Sequence, residues 1–257
     1  NDVNLGSDFM TRISVELVPR DVEVLKEEVK TIKEKLSDVD FINIPDLLSC
    51  DTRSWDGANI AKAYFDDVVP HLRAMDFDFT KDLPIKDKLR EYNIKEVLVI
   101  EGDPPQSMLY QVYPTISTDI IKKFSEEMPE ITVYAGIDQY RSSMKEEEYR
   151  IRRKQLAGAK GFFTQPFFDM RYLEMYADLL DGLDIYWGVS PVLSERSVSY
   201  WRNKNNVIFP KDFEPTLEWN IEFARKVIEF ARKHNHNVYL MPIKAKIMPY
   251  LEGVFAK

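Results

Sequence analysis

Glu16 stands between Val15 and Leu17 in the run "RISVELV" (12–18). Burying a carboxylate is costly unless it is paired. A carboxyl embedded this way has its pKa raised and can act as a general acid near neutral pH. Gln165 raises a different question. It closes the apolar stretch of "KGFFTQPFFD" (160–169), directly before a proline that cannot extend a sheet ladder. A Gln there is either a solvated strand end or a side chain aimed at something. Three more polar residues sit at or beyond apolar runs: His71 in "VVPHL" (68–72), Asp103 at the end of "KEVLVIEGD" (95–103) and Lys244 after "NVYLMPI" (237–243). Each also has an ordinary reading, as a solvated strand end or, for His71, a satisfied core histidine. His234 and His236 lie in the polar "KHNHN" and are expected to face solvent. No spacing of His, Asp and Glu has the form of a metal site.

These residues can cooperate only if the chain gathers them. Apolar runs at 12–18, 40–46, 68–72, 95–103, 131–137, 160–165, 183–189 and 237–243 read as strands. Between them lie helical patterns. In "DVEVLKEEVKTIKEKLSDV" (21–39), Val24, Leu25, Val29, Ile32 and Leu36 recur three or four apart along one face. Further helices are expected at 57–67, 85–93, 117–128, 145–159, 170–182, 193–201, 216–234 and 246–255, with 209–215 as a loop. Eight strands, each followed by at least one helix, imply parallel pairing. Eight such units in about 250 residues is the size of a (β/α)8 TIM barrel of one domain, whose catalytic groups gather at the C-terminal ends of the strands. Glu16, His71, Asp103, Gln165 and Lys244 would then share one mouth, together with Asp138, Gln139 and Ser190 from the intervening strand ends. An open doubly wound sheet is the competing arrangement. Neither G-x-G-x-x-G nor G-x-x-x-x-G-K-[ST] occurs to support it.

The chain has 257 residues, 44% hydrophobic and 30% charged, with a net charge of −8. That balance argues against nucleic-acid binding. No apolar run approaches the length of a bilayer span. One cysteine, Cys50, excludes an internal disulfide framework. A cytoplasmic protein is expected. Residues 1–9 precede Met10 without periodic pattern and read as a leader or tag remnant, leaving 10–257 as the barrel.

The strings "SVELVPR", "PHL", "VIEGDPP" and "KQLAGAKGFFTQPFFD" together resemble the methylenetetrahydrofolate reductase family, in its short bacterial-type catalytic barrel. The last string is the most specific, and the resemblance covers nearly everything after residue 11. It implies an oxidoreductase that reduces 5,10-methylenetetrahydrofolate to 5-methyltetrahydrofolate in one-carbon metabolism and methionine biosynthesis. The electrons would come from NADH or NADPH through FAD. By resemblance, Glu16 falls on the general acid, Asp103 on the acid beside flavin and pterin, and Gln165 on the folate and nicotinamide contact. His71, Gly102 and Lys154 fall in the FAD site, with Ser117 and Thr118 near its pyrophosphate. Lys244 falls on the basic residue that meets the folate glutamate. A homo-oligomer is compatible with the family.

The chain also departs from that pattern. Glu101-Gly102-Asp103 stands where many members have Arg-Gly-Asp, the loop "GIDQYRSSMKEEE" (136–148) is short, Pro45 replaces a hydroxyl residue and Lys244 an arginine. Two alternatives therefore stand beside the flavoenzyme. One is a folate reductase that binds flavin weakly or takes hydride directly from a nicotinamide. The other is a non-catalytic folate-binding partner subunit.

Overall fold

The β-branched and aromatic runs form strands buried on both faces, as a parallel sheet sandwiched between helices and a packed lumen requires. In the computed structural model, which describes residues 10–243 and 246–256, they are β1 (Ile13–Glu16), β2 (Phe41–Ile44), β3 (Val68–Arg73), β4 (Glu96–Ile100), β5 (Thr132–Ile137), β6 (Gly161–Pro166), β7 (Ile185–Val189) and β8 (Asn237–Leu240). Every neighbouring pair is parallel, and β1 pairs with β8, so the sheet closes as a (β/α)8 barrel in sequence order. The helices are α1 (Val22–Lys35), α2 (Ser54–Ala61), α3 (Lys86–Glu91), α4 (Ser117–Glu127), α5 (Met144–Ala157), α6 (Met170–Leu179), α7 (Glu195–Lys204), α8 (Leu217–His234) and α9 (Ile247–Phe255). Among the described residues none is long and apolar enough to cross a membrane.

The two-residue period of a strand sorts side chains into two layers. Ile13, Val15 and Leu17 join the large shell between strands and helices. Phe41, Val69, Leu98, Tyr134, Phe163, Tyr186, Tyr239 and Met241 fill the lumen. Phe163 and Tyr186 stack with centroids 4.1 Å apart, and Tyr134 meets both edge-on. Below them Arg12 bonds Glu96 in a bidentate pair and donates to the Tyr186 hydroxyl, closing the N-terminal end of the barrel. The polar lumenal residues Glu16, Asn43 and His71 lie at the opposite end of the same pattern.

Two departures from the sequence expectation bear on the site. The 57–67 helix starts earlier and ends at Ala61. Gly57 within it packs tightly on β2 and the β1 exit, where an added Cβ would lie 2.9 Å from Ile44 and 3.2 Å from Pro19. β4 stops at Ile100, so Asp103 belongs to the following loop rather than to a strand.

Candidate active site

Glu16 is the last residue of β1, and strand parity turns it into the lumen. It is 8% exposed, and the Tyr239 hydroxyl of β8 donates to its Oε2. Burial pushes its carboxyl from 4.5 up to about 8, and no cation among the described residues opposes the shift. The group is therefore protonated at neutral pH, with a transferable proton at the barrel mouth. Tyr239 was not expected from the sequence. Its parity within "NVYLMPI" was the available signal.

His71 lies beside this pair, its ring centroid 6.3 Å from that of Tyr239. Burial drives its pKa from 6.5 down to about 3, so the ring is neutral. Its Nε2 is 3.2 Å from Asn43 Oδ1, and Asn43 Nδ2 donates to Ser14 Oγ at 2.8 Å. That chain assigns the proton to Nε2 and leaves Nδ1 as an acceptor. A neutral imidazole here places no positive charge beside Glu16.

Gln165 owes its position to an irregularity. The β6–β7 register shifts between Phe163 and Pro166. The Gln139 side chain substitutes for the interrupted ladder, accepting from Gln165 N at 3.1 Å and donating to its carbonyl at 2.7 Å. Thr164 Oγ1 accepts from Gly188 N on the other side. The Gln165 backbone is thus held by side chains of β6 and of the loop after β5. Its own amide is exposed and makes no hydrogen bond among the described residues. The apolar run ends on a glutamine because a bulge presents that amide to the mouth.

Asp103 is carried by an anchored loop. Gly102 has φ +89°, and an added Cβ would lie 3.1 Å from Arg73, so glycine is needed there. Arg73 Nη2 donates to the Asp103 carbonyl at 2.6 Å, and Arg73 Nε pairs with Asp76 at 3.2 Å. Arg53 bridges Asp76 at 3.0 Å and Asp46 through its Nε at 2.9 Å, and reaches the Tyr110 hydroxyl at 3.3 Å. This network of arginines and aspartates, which the sequence reading did not anticipate, ties the β4–α4 loop to the ends of β2 and β3.

Glu16, His71, Gly102, Asp103, Lys154 and Gln165 all line one cavity of about 960 Å³. Ser117 and Thr118 are not among its lining residues. Lys244 lies outside the described residues. His236 departs from expectation: it is half-buried, and its Nδ1 accepts from Trp187 Nε1 at 3.1 Å.

The groups assigned by resemblance to a flavin pyrophosphate are committed within the protein. Ser117 N and Oγ both donate to the Glu101 carboxylate, at 3.2 and 2.8 Å, filling the N-terminus of α4 with an internal anion. Lys154 is buried and donates to the Gly136 carbonyl at 2.7 Å, and desolvation lowers its pKa. A phosphate at this helix end would meet a carboxylate already bound there. These residues do not fit the FAD pyrophosphate that the resemblance implies. Among the described residues no group of three or more His, Cys, Asp or Glu is placed to hold a metal ion.

No family model matches the chain. It is 22% identical over 147 residues to 5,10-methylenetetrahydrofolate reductase of Buchnera aphidicola subsp. Schizaphis graminum, a match spanning 55% of this chain and half the length of that protein. Of solved structures, an uncharacterized Clostridium thermocellum protein that binds two copies of 5-methyl-5,6,7,8-tetrahydrofolic acid superposes with a TM-score of 0.62 at 13% identity. That superposition covers 95% of this chain and 94% of the other. A 2,3-dimethylmalate lyase superposes with a TM-score of 0.59 at 10% identity, covering 94% and 76%. At these identities the superpositions establish the barrel.

Proposed function

We propose that the protein binds a reduced folate in this mouth and reduces 5,10-methylenetetrahydrofolate to 5-methyltetrahydrofolate. The hydride would come directly from a nicotinamide nucleotide. The observation that carries the reading is Glu16, a buried carboxyl protonated at neutral pH and facing the cavity. The reductase similarity and the methyltetrahydrofolate-binding neighbour supply the substrate class.

In the proposed reaction the Glu16 carboxyl donates its proton to the departing nitrogen of the imidazolidine ring. The carbon–nitrogen bond breaks toward that nitrogen, leaving a cationic iminium at the neighbouring one. The Asp103 carboxylate offsets the new positive charge. Hydride from the dihydronicotinamide forms the carbon–hydrogen bond of the methyl group, and the iminium π pair returns to nitrogen. The Gln165 amide supplies a donor and an acceptor to the pterin edge. Burial keeps Glu16 protonated, and the bond from the Tyr239 hydroxyl orients its carboxyl. Direct transfer is favoured over the flavin route because Glu101, Ser117 and Lys154 are committed to internal contacts.

The test is anaerobic incubation of purified protein with 5,10-methylenetetrahydrofolate and NADH or NADPH, without and with added FAD, with 5-methyltetrahydrofolate measured by mass spectrometry. Turnover without FAD supports the proposal. Turnover only with FAD would restore the flavin route. Binding of 5-methyltetrahydrofolate with no turnover under any condition would leave a folate-binding protein rather than an enzyme.

A further inference from the structure

The short loop after β5 departs from the resembled family, and the proposed reaction uses neither Asp138 nor Arg141 within it. Four consecutive residues there divide their work. Gln139 and Tyr140 turn into the protein. The Gln139 side chain holds both backbone groups of Gln165, and the Tyr140 hydroxyl donates to the Pro166 carbonyl at 2.6 Å. The Tyr172 hydroxyl of α6 donates to the Gln139 carbonyl. Ser143 caps α5 directly after the turn, through Glu146 N at 3.3 Å. Asp138 and Arg141, on either side of the two anchors, line the cavity instead.

Each of these two has one polar group committed and one left over. Arg141 meets buried Glu147 with one side of its guanidinium, through Nε at 3.3 Å and Nη2 at 2.9 and 3.0 Å. Its Nη1 makes no hydrogen bond with any described residue. Arg150 also reaches Glu147, at 3.5 Å, so that carboxylate is shared between two cations and cancels neither in full. Asp138 Oδ1 accepts from Tyr140 N at 3.1 Å, while its Oδ2 accepts from no described residue. Burial raises the Asp138 pKa, as expected of a carboxylate short of donors. Of the other cations in the cavity wall, Lys154 is held by the Gly136 carbonyl and Arg196 stands on α7. The turn therefore presents one fixed acceptor and one guanidinium edge braced by a buried acid.

We propose that the 138–141 turn is the ribose-phosphate subsite for the nicotinamide nucleotide, with Asp138 accepting from a ribose hydroxyl and the Nη1 side of Arg141 binding the 5′-phosphate. The proposal rests on the reading that this nucleotide is the direct hydride donor. Hydride transfer requires the dihydronicotinamide ring to lie against the pterin, which that reading places at Gln165. The ribose and its phosphate follow directly from the ring, and the turn is the segment bonded to the Gln165 backbone. A carboxylate suits the ribose diol, and a guanidinium suits the phosphate oxygens. An arginine already held on one side loses less rotamer freedom on binding. The site is separate from Ser117 and Lys154, which are occupied from within the protein.

The test is calorimetric titration of wild type, Arg141→Met, Arg141→Lys and Asp138→Asn with three probes. These are NADH, reduced nicotinamide mononucleotide, and reduced nicotinamide riboside, which lacks the phosphate. Wild type should bind the mononucleotide about tenfold or more tighter than the riboside, the scale of a charge-assisted hydrogen bond. Arg141→Met should weaken NADH and the mononucleotide by about tenfold and leave the riboside within twofold. Arg141→Lys keeps a cation for Glu147 without the second nitrogen edge, and should lose most of the same preference. Asp138→Asn should weaken all three probes by about threefold or more. Binding of 5-methyltetrahydrofolate to each variant should stay within twofold, which separates a lost subsite from a damaged fold. If wild type binds mononucleotide and riboside equally, or if the Arg141 variants affect all three probes alike or none, the phosphate lies elsewhere and the proposal is overturned while direct transfer stands. Unchanged binding by Asp138→Asn would overturn the ribose contact. If wild type binds 5-methyltetrahydrofolate but none of the three probes, the direct-transfer reading itself fails and the subsite falls with it.

Discussion

In the proposed reaction the chemistry turns on Glu16. Replacing it by Gln keeps the shape and the bond from Tyr239 but removes the proton. Reduction of 5,10-methylenetetrahydrofolate should fall by about 10²-fold or more, the scale of a lost general acid, while the Kd for 5-methyltetrahydrofolate stays within a few-fold. Steady-state rates and calorimetric titration on the same preparation separate the two. A purely structural Glu16 would instead lower both together with thermal stability. The same carboxyl sets an alkaline limit. Once pH exceeds about 8, Glu16 loses its proton and the rate should decline with it.

Two elements carry the polar tips, and each has a weak point of its own. The β6 bulge fits against β7 only because residue 188 is glycine. An added Cβ would lie 2.5 Å from the Thr164 carbonyl and 2.8 Å from that of Gln165. Gly188→Ala should cost about 1–3 kcal/mol, read as a Tm loss of about 2–12 °C for a chain of this size, and should weaken folate binding as Gln165 is displaced. The N-terminus of α4 depends on Glu101. Glu101→Ala strips Ser117 N and Oγ of their shared acceptor and should cost about 1–3 kcal/mol in thermal unfolding. It also vacates the helix end, so fluorescence titration with FAD should show whether Glu101 is what keeps a pyrophosphate out. Unchanged stability would mean that the Glu101–Ser117 contact contributes nothing.

Two buried groups at the mouth give the whole molecule a characteristic pH response. Glu16 has its folded pKa raised from 4.5 to about 8. Its contribution is fully present below pH 4.5 and is lost as pH rises toward 8. His71 has its folded pKa lowered from 6.5 to about 3. Its contribution is present above pH 6.5 and is lost as pH falls toward 3. Between pH 4.5 and 6.5 the folded state holds the Glu16 proton and the unfolded state holds the His71 proton, so the two slopes cancel. Between pH 6.5 and 8, of these two groups only Glu16 acts, and its contribution should decline by about 1.4 kcal/mol per pH unit. Urea denaturation across this range should show the decline in wild type and a flat profile in Glu16→Gln. A decline of equal slope in both would place the titrating group elsewhere.

At every scale the sequence and the fold contributed differently. The alternation of apolar runs and helical patterns determined the eight-fold βα order, because burial on both faces of a parallel strand demands continuous apolar residues. Val15 and Leu17 around Glu16 likewise marked a carboxyl that would be buried, since two-residue periodicity is local. Tertiary structure alone decided what those residues meet. Tyr239 lies 223 positions from Glu16 and reaches it only because β8 closes on β1. The bulge that presents Gln165 depends on Thr164 of β6, Gly188 of β7 and Gln139 of the loop after β5, a pairing no local pattern encodes. Arg141, Lys154 and Arg196 look alike as letters. Which of them is spent on an internal partner and which is free to meet a ligand follows from packing, because the field at a charge is set by neighbours in space rather than along the chain.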